Sequence, residues 1–448
     1  MDVRGLEQMQ ERGPQVPQEA KRGPEAQDPK WSWVEASIWN ERMLAALGNG
    51  VKGGKWFSLI DKVYRATTLQ AAWQRVRANK GAAGVDRQSV EMFERHAERY
   101  LEELRDQLER GQYCAQPIRR VEIPKGVNQT RPLGIPVVKD RIVQTAVKMV
   151  IEPIFEAMFM PQSYGFRPGR SAHDALREVD RLLKAGFTHV VDADLQGYFD
   201  SIPHDGLRER VGEKISDGRV LGLIDDWLRQ EIVSEAGRWT PSGGTPQGAV
   251  LSPLLANCYL HPLDVRLTEG GWHMVRYADD FVVMCASAEQ AQAALAEIEQ
   301  WVQANGLQLH PAKTHVGDCL QEGQGFEFLG YRFEAGRRRV RKKSMEKFRD
   351  RIREKTSRSR GDSLGAVIES LNPILRGWFN YFKHAQRLTF TQVDGFVRRR
   401  LRTLLRYQSK RRGHGHTHAD HRRWPNAFFA EHGLFTLQAA HALASQSR

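Results

Sequence analysis

Apolar residues recur at helical spacing from Trp56 to Arg77, at Leu59, Val63, Leu69, Trp73 and Val76, and a second helical stretch runs from Val90 to about Leu108. Beyond these the pattern is mixed. Val121 to Ile123 and Thr188 to Leu195 read as strands, and Asp140 to Phe159 as a largely apolar helix. Met274 to Tyr277 and Phe281 to Cys285 are two apolar runs on either side of a polar pair, the pattern of a strand–turn–strand hairpin. Ser287 to Asn305 is amphipathic, with Ala291, Ala294, Leu295, Ile298 and Val302 on one face, and Ser287 with Gln290 fits a capping box at its start. Leu364 to Phe382 is helical in pattern, and Asn372-Pro373 inside it predicts a break and restart. A last helix is expected from about Thr391 to Tyr407. The mixture predicts an α+β body followed by an all-helical region. Before Trp56 the chain carries less signal. Met1 to about Lys30 lacks apolar periodicity and reads as a disordered leader, and Gly48, Gly50, Gly53 and Gly54 mark a flexible join.

Charge changes this picture more than composition does. The net charge of +13 is unevenly placed: Arg337 to Trp424 holds 26 Lys/Arg against 7 Asp/Glu, a net of +19, and the rest of the chain is at −6. A strongly basic segment beside a mildly acidic body is the electrostatic footprint of a polyanion binder. A mean hydropathy of −0.56 and the lack of a bilayer-length apolar run argue against a membrane protein. The N-terminus lacks a signal-peptide pattern, so a cytoplasmic location is expected. Cys114, Cys258, Cys285 and Cys319 form no C-x-x-C pair and suggest neither a zinc site nor a disulfide framework.

The most informative stretch is Met274-Val-Arg-Tyr-Ala-Asp-Asp-Phe-Val-Val-Met284, which puts two adjacent aspartates at the bend of the expected hairpin. Such a pair repels itself unless a cation is present, and oxygen ligands without Cys or His point to Mg²⁺. Upstream, Val190-Val-Asp-Ala-Asp-Leu-Gln-Gly-Tyr-Phe-Asp-Ser-Ile202 is another apolar strand running into carboxylates. Asp194 beside Asp279 and Asp280 would supply three carboxylates for two metal ions about 3.5–4 Å apart. Asp192 and Asp200 are rival upstream ligands. Asp194 is preferred because it ends the strand on the opposite phase to Val191.

These residues resemble the reverse-transcriptase blocks of group II intron maturases. Tyr277-Ala-Asp-Asp280 resembles the fifth block, Asp194-Leu-Gln-Gly-Tyr-Phe-Asp200 the third, and Gly244-Thr-Pro-Gln-Gly-Ala-Val-Leu-Ser-Pro253 the bacterial group II form of the fourth. Ile123-Pro-Lys125 through Arg131-Pro-Leu-Gly-Ile-Pro136 and Asp140-Arg141 is similar to the second, and Ser163-Tyr-Gly-Phe-Arg-Pro-Gly-Arg170 to the stretch after it. Gly306 to Lys313 and Phe328-Leu-Gly-Tyr331 resemble the sixth and seventh blocks, and Leu371-Asn-Pro-Ile-Leu-Arg-Gly-Trp-Phe-Asn-Tyr-Phe382 the maturase-specific thumb.

The resemblance implies a right-hand polymerase fold. Residues 1–55 would form the leader and join, 56–335 the fingers and palm, 336–410 the helical thumb or maturase domain, and 411–448 a short basic tail, a possible DNA-contacting remnant. It implies that Asp194, Asp279 and Asp280, with the Leu195 backbone, hold two Mg²⁺, with Mn²⁺ as a substitute. Lys125 and Arg131 would grip the triphosphate of a dNTP. Tyr198 would stack under the sugar, with Phe199 the choice one register away. Gln247 would contact the nucleotide and Lys313 a phosphate. Arg167, Arg170, Arg338, Arg341, Lys342, Arg376, Arg398, Arg399 and Arg402 are the expected RNA- and DNA-binding set. The implied partners are a group II intron RNA whose splicing is assisted, an RNA template with a DNA or RNA primer, and a DNA target. No Cys follows Cys319, so the paired-cysteine H-N-H endonuclease of many family members is not expected. Two other readings share much of this: a domesticated reverse transcriptase serving host repair, defence or CRISPR spacer acquisition, and a non-catalytic RNA-binding splicing factor.

Overall fold

The computed structural model describes residues 29–126, 129–358, 361–411 and 413–446. Eleven strands form three sheets among these residues. The first has the order β2-β1-β4-β5, where β1 (Ile118–Gly126) and β2 (Gln129–Ile135) form a long hairpin and β4 (Ile232–Ser234) and β5 (Gly237–Trp239) a short one. The second has the order β6-β7-β3-β8, built from β3 (His189–Asp194), β6 (His273–Tyr277), β7 (Asp280–Cys285) and β8 (His315–Asp318). The third is β11-β10-β9, from β9 (Phe326–Phe328), β10 (Tyr331–Glu334) and β11 (Arg337–Val340).

The second sheet lies between two hydrophobic cores. Val191, Ala193, Met274, Phe281 and Val283 enter one core, and Val190, Val275, Val282 and Met284 the other. Burial on both faces explains why Phe281 to Cys285 of β7 read as an unbroken apolar run rather than an alternating one. The first core is built on the helices Ala66–Asn79, Val138–Glu156 and Ser252–Glu269. The second gathers the third sheet and the helices Lys342–Lys355, Leu364–Phe382 and Arg387–Gln408.

Several sequence expectations are corrected. The first described residues are not a loose leader: Trp31, Val34, Ile38 and Trp39 are buried in the first core, and Glu41–Asn49 is a helix capped by the Asn40 side chain. Residues 1–28 lie outside the described residues. A boundary at 335/336 would cut the hairpin between β10 and β11. The helix Leu364–Phe382 runs through Pro373 without a break. The preceding Asn372 does not cap it. It accepts from the Phe435 backbone N–H at 2.8 Å and donates to the Gly433 carbonyl at 2.8 Å. The tail after 411 is therefore part of the helical region, with Trp424, Phe429, Leu434 and Leu437 buried in its core. Asn372→Ala is expected to cost about 1–2 kcal/mol from two lost hydrogen bonds. A thermal melt should fall by a few degrees, and limited proteolysis should cleave first beyond residue 411. An unchanged melt would show that the clip contributes nothing.

Candidate active site

Antiparallel pairing fixes the acidic cluster. In the β3–β7 ladder Asp194 stands opposite Asp280, Asp192 opposite Val282 and Val190 opposite Met284. Directly opposed residues share a face of the sheet, so Asp194 and Asp280 project from the same side, with Asp192 beside them. Tyr277 pairs with Asp280 across the β6–β7 hairpin, leaving Ala278-Asp279 as its two-residue turn. Ala278 has φ +62°, and Asp279 is not among the residues with positive φ. A positive φ at the first turn residue alone is the pattern of a type II′ turn, where glycine is the usual occupant.

This crowding is visible in the ionisation of the acids. Burial, followed by the charges of Asp192, Asp279 and Asp194, raises Asp280 to about 7, although the Leu329 backbone N–H opposes the shift. Burial also raises Asp192 to about 7 against a backbone hydrogen bond from Glu327. Asp194 is more exposed and meets the Lys313 ammonium at 2.8 Å. Its carbonyl accepts from the His310 N–H at 2.7 Å, which holds the Lys313 loop against the strand end. Among the described residues, no three acidic, His or Cys side chains are grouped closely enough to enclose an ion as they stand.

The other expected residues divide. Arg131 is exposed on β2 opposite Ile123, and the side chain of Lys125 lies outside the described residues. Gln247 donates to Asp200 at 3.3 Å, and its carbonyl accepts from the Gly134 N–H at 2.6 Å, which joins the β1–β2 hairpin to the site. Tyr198 is not where a sugar contact was expected. Its ring is buried and its hydroxyl donates to the Ala256 carbonyl at 2.6 Å. Phe199, partly exposed one residue on, takes the outward position.

Three arginines of the proposed nucleic-acid set are structural. Arg167 is buried, with three hydrogen bonds of 2.6–3.1 Å to the Glu156 carboxylate and two more to the carbonyls of Met160 and Ser163. Arg402 is buried against the Trp424 carbonyl and the Asn426 side chain, both at 2.9 Å. Arg338 joins Asp180 to the His384 carbonyl. Arg170 is partly held by the Pro161 carbonyl at 2.6 Å. Lys342, Arg376 and Arg399 are exposed, and Arg341 and Arg398 partly so.

Sequence reasoning missed what holds the acidic turn. Arg276 and Asp264 form a bidentate ion pair with both side chains fully buried. The same guanidinium donates to the Ala278 carbonyl in the turn at 2.8 Å and to Asn257 Oδ1 at 2.9 Å. Asn257 Nδ2 in turn donates to the Gly165 carbonyl at 2.8 Å. Gly165 lies so close to the turn that a Cβ there would collide with the Ala278 backbone nitrogen. The available signal was an arginine inside an apolar strand, which needs a buried partner.

Two outcomes follow. Asp264→Ala leaves a buried guanidinium without its counter-charge and should cost about 3–5 kcal/mol of stability in denaturant unfolding; a loss below about 1 kcal/mol would mean that the pair does not hold the turn. Asp280→Asn mimics the protonated acid. The folded pKa lies above the unfolded one, so ionisation destabilises the fold as pH rises from about 4 to about 7. In metal-free buffer the variant's melting temperature relative to wild type should therefore rise between pH 5 and 8. A pH-independent difference would contradict this origin of the shift.

Comparison with known proteins identifies the family. Residues 123–333 match the reverse transcriptase (RNA-dependent DNA polymerase) family, and residues 345–424 match the group II intron maturase-specific domain. Protein YkfC of Escherichia coli (strain K12) is 35% identical over 318 residues, covering 61% of this chain and 82% of YkfC. The group II intron-encoded protein LtrA of Lactococcus lactis subsp. cremoris is 38% identical over 203 residues, covering 45% of this chain but only 33% of LtrA. A chain of the partial Cas6-RT-Cas1–Cas2 complex overlies 55% of this chain and 41% of its own at 27% identity, with a TM-score of 0.36, too low a likeness to bear on function. Enzymes of the reverse transcriptase family use divalent metal ions. With both regions matched in order along one sequence, and a relative at 35% identity covered over 82% of its length, the chain belongs to the group II intron type of reverse transcriptase and maturase.

Proposed function

We propose that this chain is an RNA-directed DNA polymerase that extends a DNA or RNA primer on an RNA template with dNTPs, binds a group II intron RNA, assists its splicing and copies it during intron mobility into a DNA target. The observation that carries the polymerase reading is the Asp194–Asp280 register with Asp279 in the adjoining turn. The donor set fits hard divalent cations: its side chains are all carboxylates, set at a paired strand end and its turn, where burial, and after it the neighbouring acids, raises Asp280 to about 7. Asp194, Asp279 and Asp280, with the Leu195 backbone carbonyl, would hold two Mg²⁺, or Mn²⁺ in their place. When bound, the ions supply charge neutralisation at the transferring phosphoryl group and a lowered pKa at the primer 3′-hydroxyl.

The protein's own residues position the reactants. Asp194 meets the Lys313 ammonium at 2.8 Å; with Asp194 committed to a cation, Lys313 would be available to a phosphate. Arg131 and Lys125, on the β1–β2 hairpin, grip the triphosphate and exclude water from it. Phe199 lies under the sugar, and Gln247, steadied by Asp200, contacts the nucleotide. Exposed Lys342, Arg376 and Arg399, with the partly exposed Arg341 and Arg398, form the phosphate-binding face for the duplex and the intron RNA. The RNA carries the splicing chemistry, and the protein contributes by stabilising the folded ribozyme. Among the described residues, no helix is long and apolar enough to cross a membrane.

Primer extension on an RNA template with Mg²⁺ tests the first claim. Asp279→Ala should lower the rate by at least about a thousandfold, since it removes metal-borne charge stabilisation; activity within tenfold of wild type would refute the assignment. Template–primer affinity should fall by roughly 10³–10⁵ between 50 and 200 mM salt if 6–10 phosphates are contacted. A flat salt titration would contradict the basic-face reading.

A further inference from the structure

Phe166 combines features that do not serve the fold. Its φ is +58°, in the left-handed region that bulky residues avoid. The residue is 47% exposed, so the unusual backbone is not repaid by burial. Strain of this kind persists only where the surroundings impose it, and it clusters at functional sites. Here the surroundings do impose it. On one side the Tyr164 N–H donates to the Arg276 carbonyl at 2.8 Å, the Gly165 carbonyl accepts from Asn257, and Gly165 abuts the Ala278 turn. On the other side the buried Arg167 guanidinium ties the next residue to Glu156, Met160 and Ser163. The loop is thus fastened to the acidic turn both before and after Phe166.

What the loop presents is an aromatic edge against Phe199. The two ring centroids are 6.3 Å apart at 81°, an edge-to-face contact. On its inner side Phe199 meets the Tyr198 ring at 5.6 Å and 67°, and the Tyr198 hydroxyl is anchored on Ala256. The Phe199 carbonyl accepts from the Thr245 N–H at 2.6 Å, which fixes its backbone. The Phe199 side chain is therefore held between one buried ring and one exposed ring.

We infer that Phe166 is a positioning residue that stiffens Phe199 and so sets how strongly the site rejects a ribonucleotide. The inference rests on the reading above that Phe199 lies under the sugar of the incoming nucleotide. A wall excludes a 2′-hydroxyl only in so far as it cannot move aside, because discrimination is the difference between two substrates' interactions with the same surface. Tyr198 blocks retreat inward, and Phe166 blocks the swing toward solvent. Loss of Phe166 leaves the deoxynucleotide contact in place and removes the resistance that a ribonucleotide meets.

The test is steady-state primer extension with dNTPs and rNTPs on Phe166→Ala, Phe166→Tyr, Phe199→Ala and the Phe166→Ala/Phe199→Ala double variant, with a thermal melt of each. Phe166→Ala should lower the dNTP-over-rNTP ratio of kcat/KM by about tenfold, through improved rNTP use, the size expected for loss of one aromatic pair. Its melt should stay close to wild type, because the ring is exposed. Phe166→Tyr keeps the edge contact and should retain wild-type selectivity. The double variant should be no less selective than Phe199→Ala alone, since the two act as one unit. Equal losses for dNTP and rNTP in Phe166→Ala, or an unchanged ratio while Phe199→Ala relaxes it, would overturn the role of Phe166. If Phe199→Ala itself leaves ribonucleotide use unchanged, the sugar-contact assignment fails instead.

Discussion

Asp194 faces Asp280 because β3 and β7 run antiparallel in a register that their apolar residues enforce. A slip of one residue would turn Val190, Val282 and Met284 out of one core and Val191, Phe281 and Val283 out of the other. Burial on both faces therefore does two things at once. It locks the register, and it forces like-charged carboxylates to the end of a sheet where water is scarce. The resulting repulsion is left in place rather than relieved by spreading the acids apart.

The buried Arg276–Asp264 pair is the counterpart of that repulsion. Arg276 lies on the strand that leads into the turn and Asp264 on the helix Ser252–Glu269; the Arg276 guanidinium bonds the turn's own Ala278 carbonyl and is linked through Asn257 to the Gly165 loop. A buried ion pair is a weak source of stability but a strong constraint on geometry. Here the constraint falls on a turn with an alanine at positive φ that carries one acid and adjoins another. From the same junction the chain fastens Phe166 beside Phe199, so the acidic turn and the aromatic wall share one support.

How much of this was legible follows from which interactions are local. Strands β3, β6 and β7, the Ser287 cap and the acidic hairpin could be read because runs of apolar residues and turn chemistry are written in adjacent positions. Half of the expected capping box forms: the Ser287 hydroxyl accepts from the Gln290 N–H at 3.3 Å, but the Gln290 side chain accepts from the Ala286 N–H at 3.0 Å rather than from Ser287. Pro373 misled because its predicted break assumes an isolated helix, whereas buried Val367, Ile368, Leu371, Leu375 and Phe379 hold this one on both sides of it. Arg167, Arg338 and Arg402 were misread for a different reason. A basic residue in a basic segment looks like surface, and only the fold brings Glu156, Asp180 or the Trp424 carbonyl to it. Tyr198 and Phe199 are adjacent aromatics, and which one faces inward depends on the Ala256 carbonyl, 58 positions away. The tail was missed because its partners are distant in sequence: the Leu437 and Gln438 N–H groups donate to Asp394, 43 and 44 positions upstream, and Arg402 meets the Trp424 carbonyl across 22.

The central claim is that Asp194 and Asp280 on paired strands, with Asp279 in the adjoining turn, hold two divalent cations beside the growing primer end. Electron paramagnetic resonance of Mn²⁺ titrated into the protein with template–primer and a non-reactive nucleotide counts those ions directly. The account predicts two bound, spin-coupled Mn²⁺ per chain in wild type, with the coupling abolished in Asp194→Asn. A single uncoupled ion in wild type, or a coupled pair that survives Asp194→Asn, would contradict it.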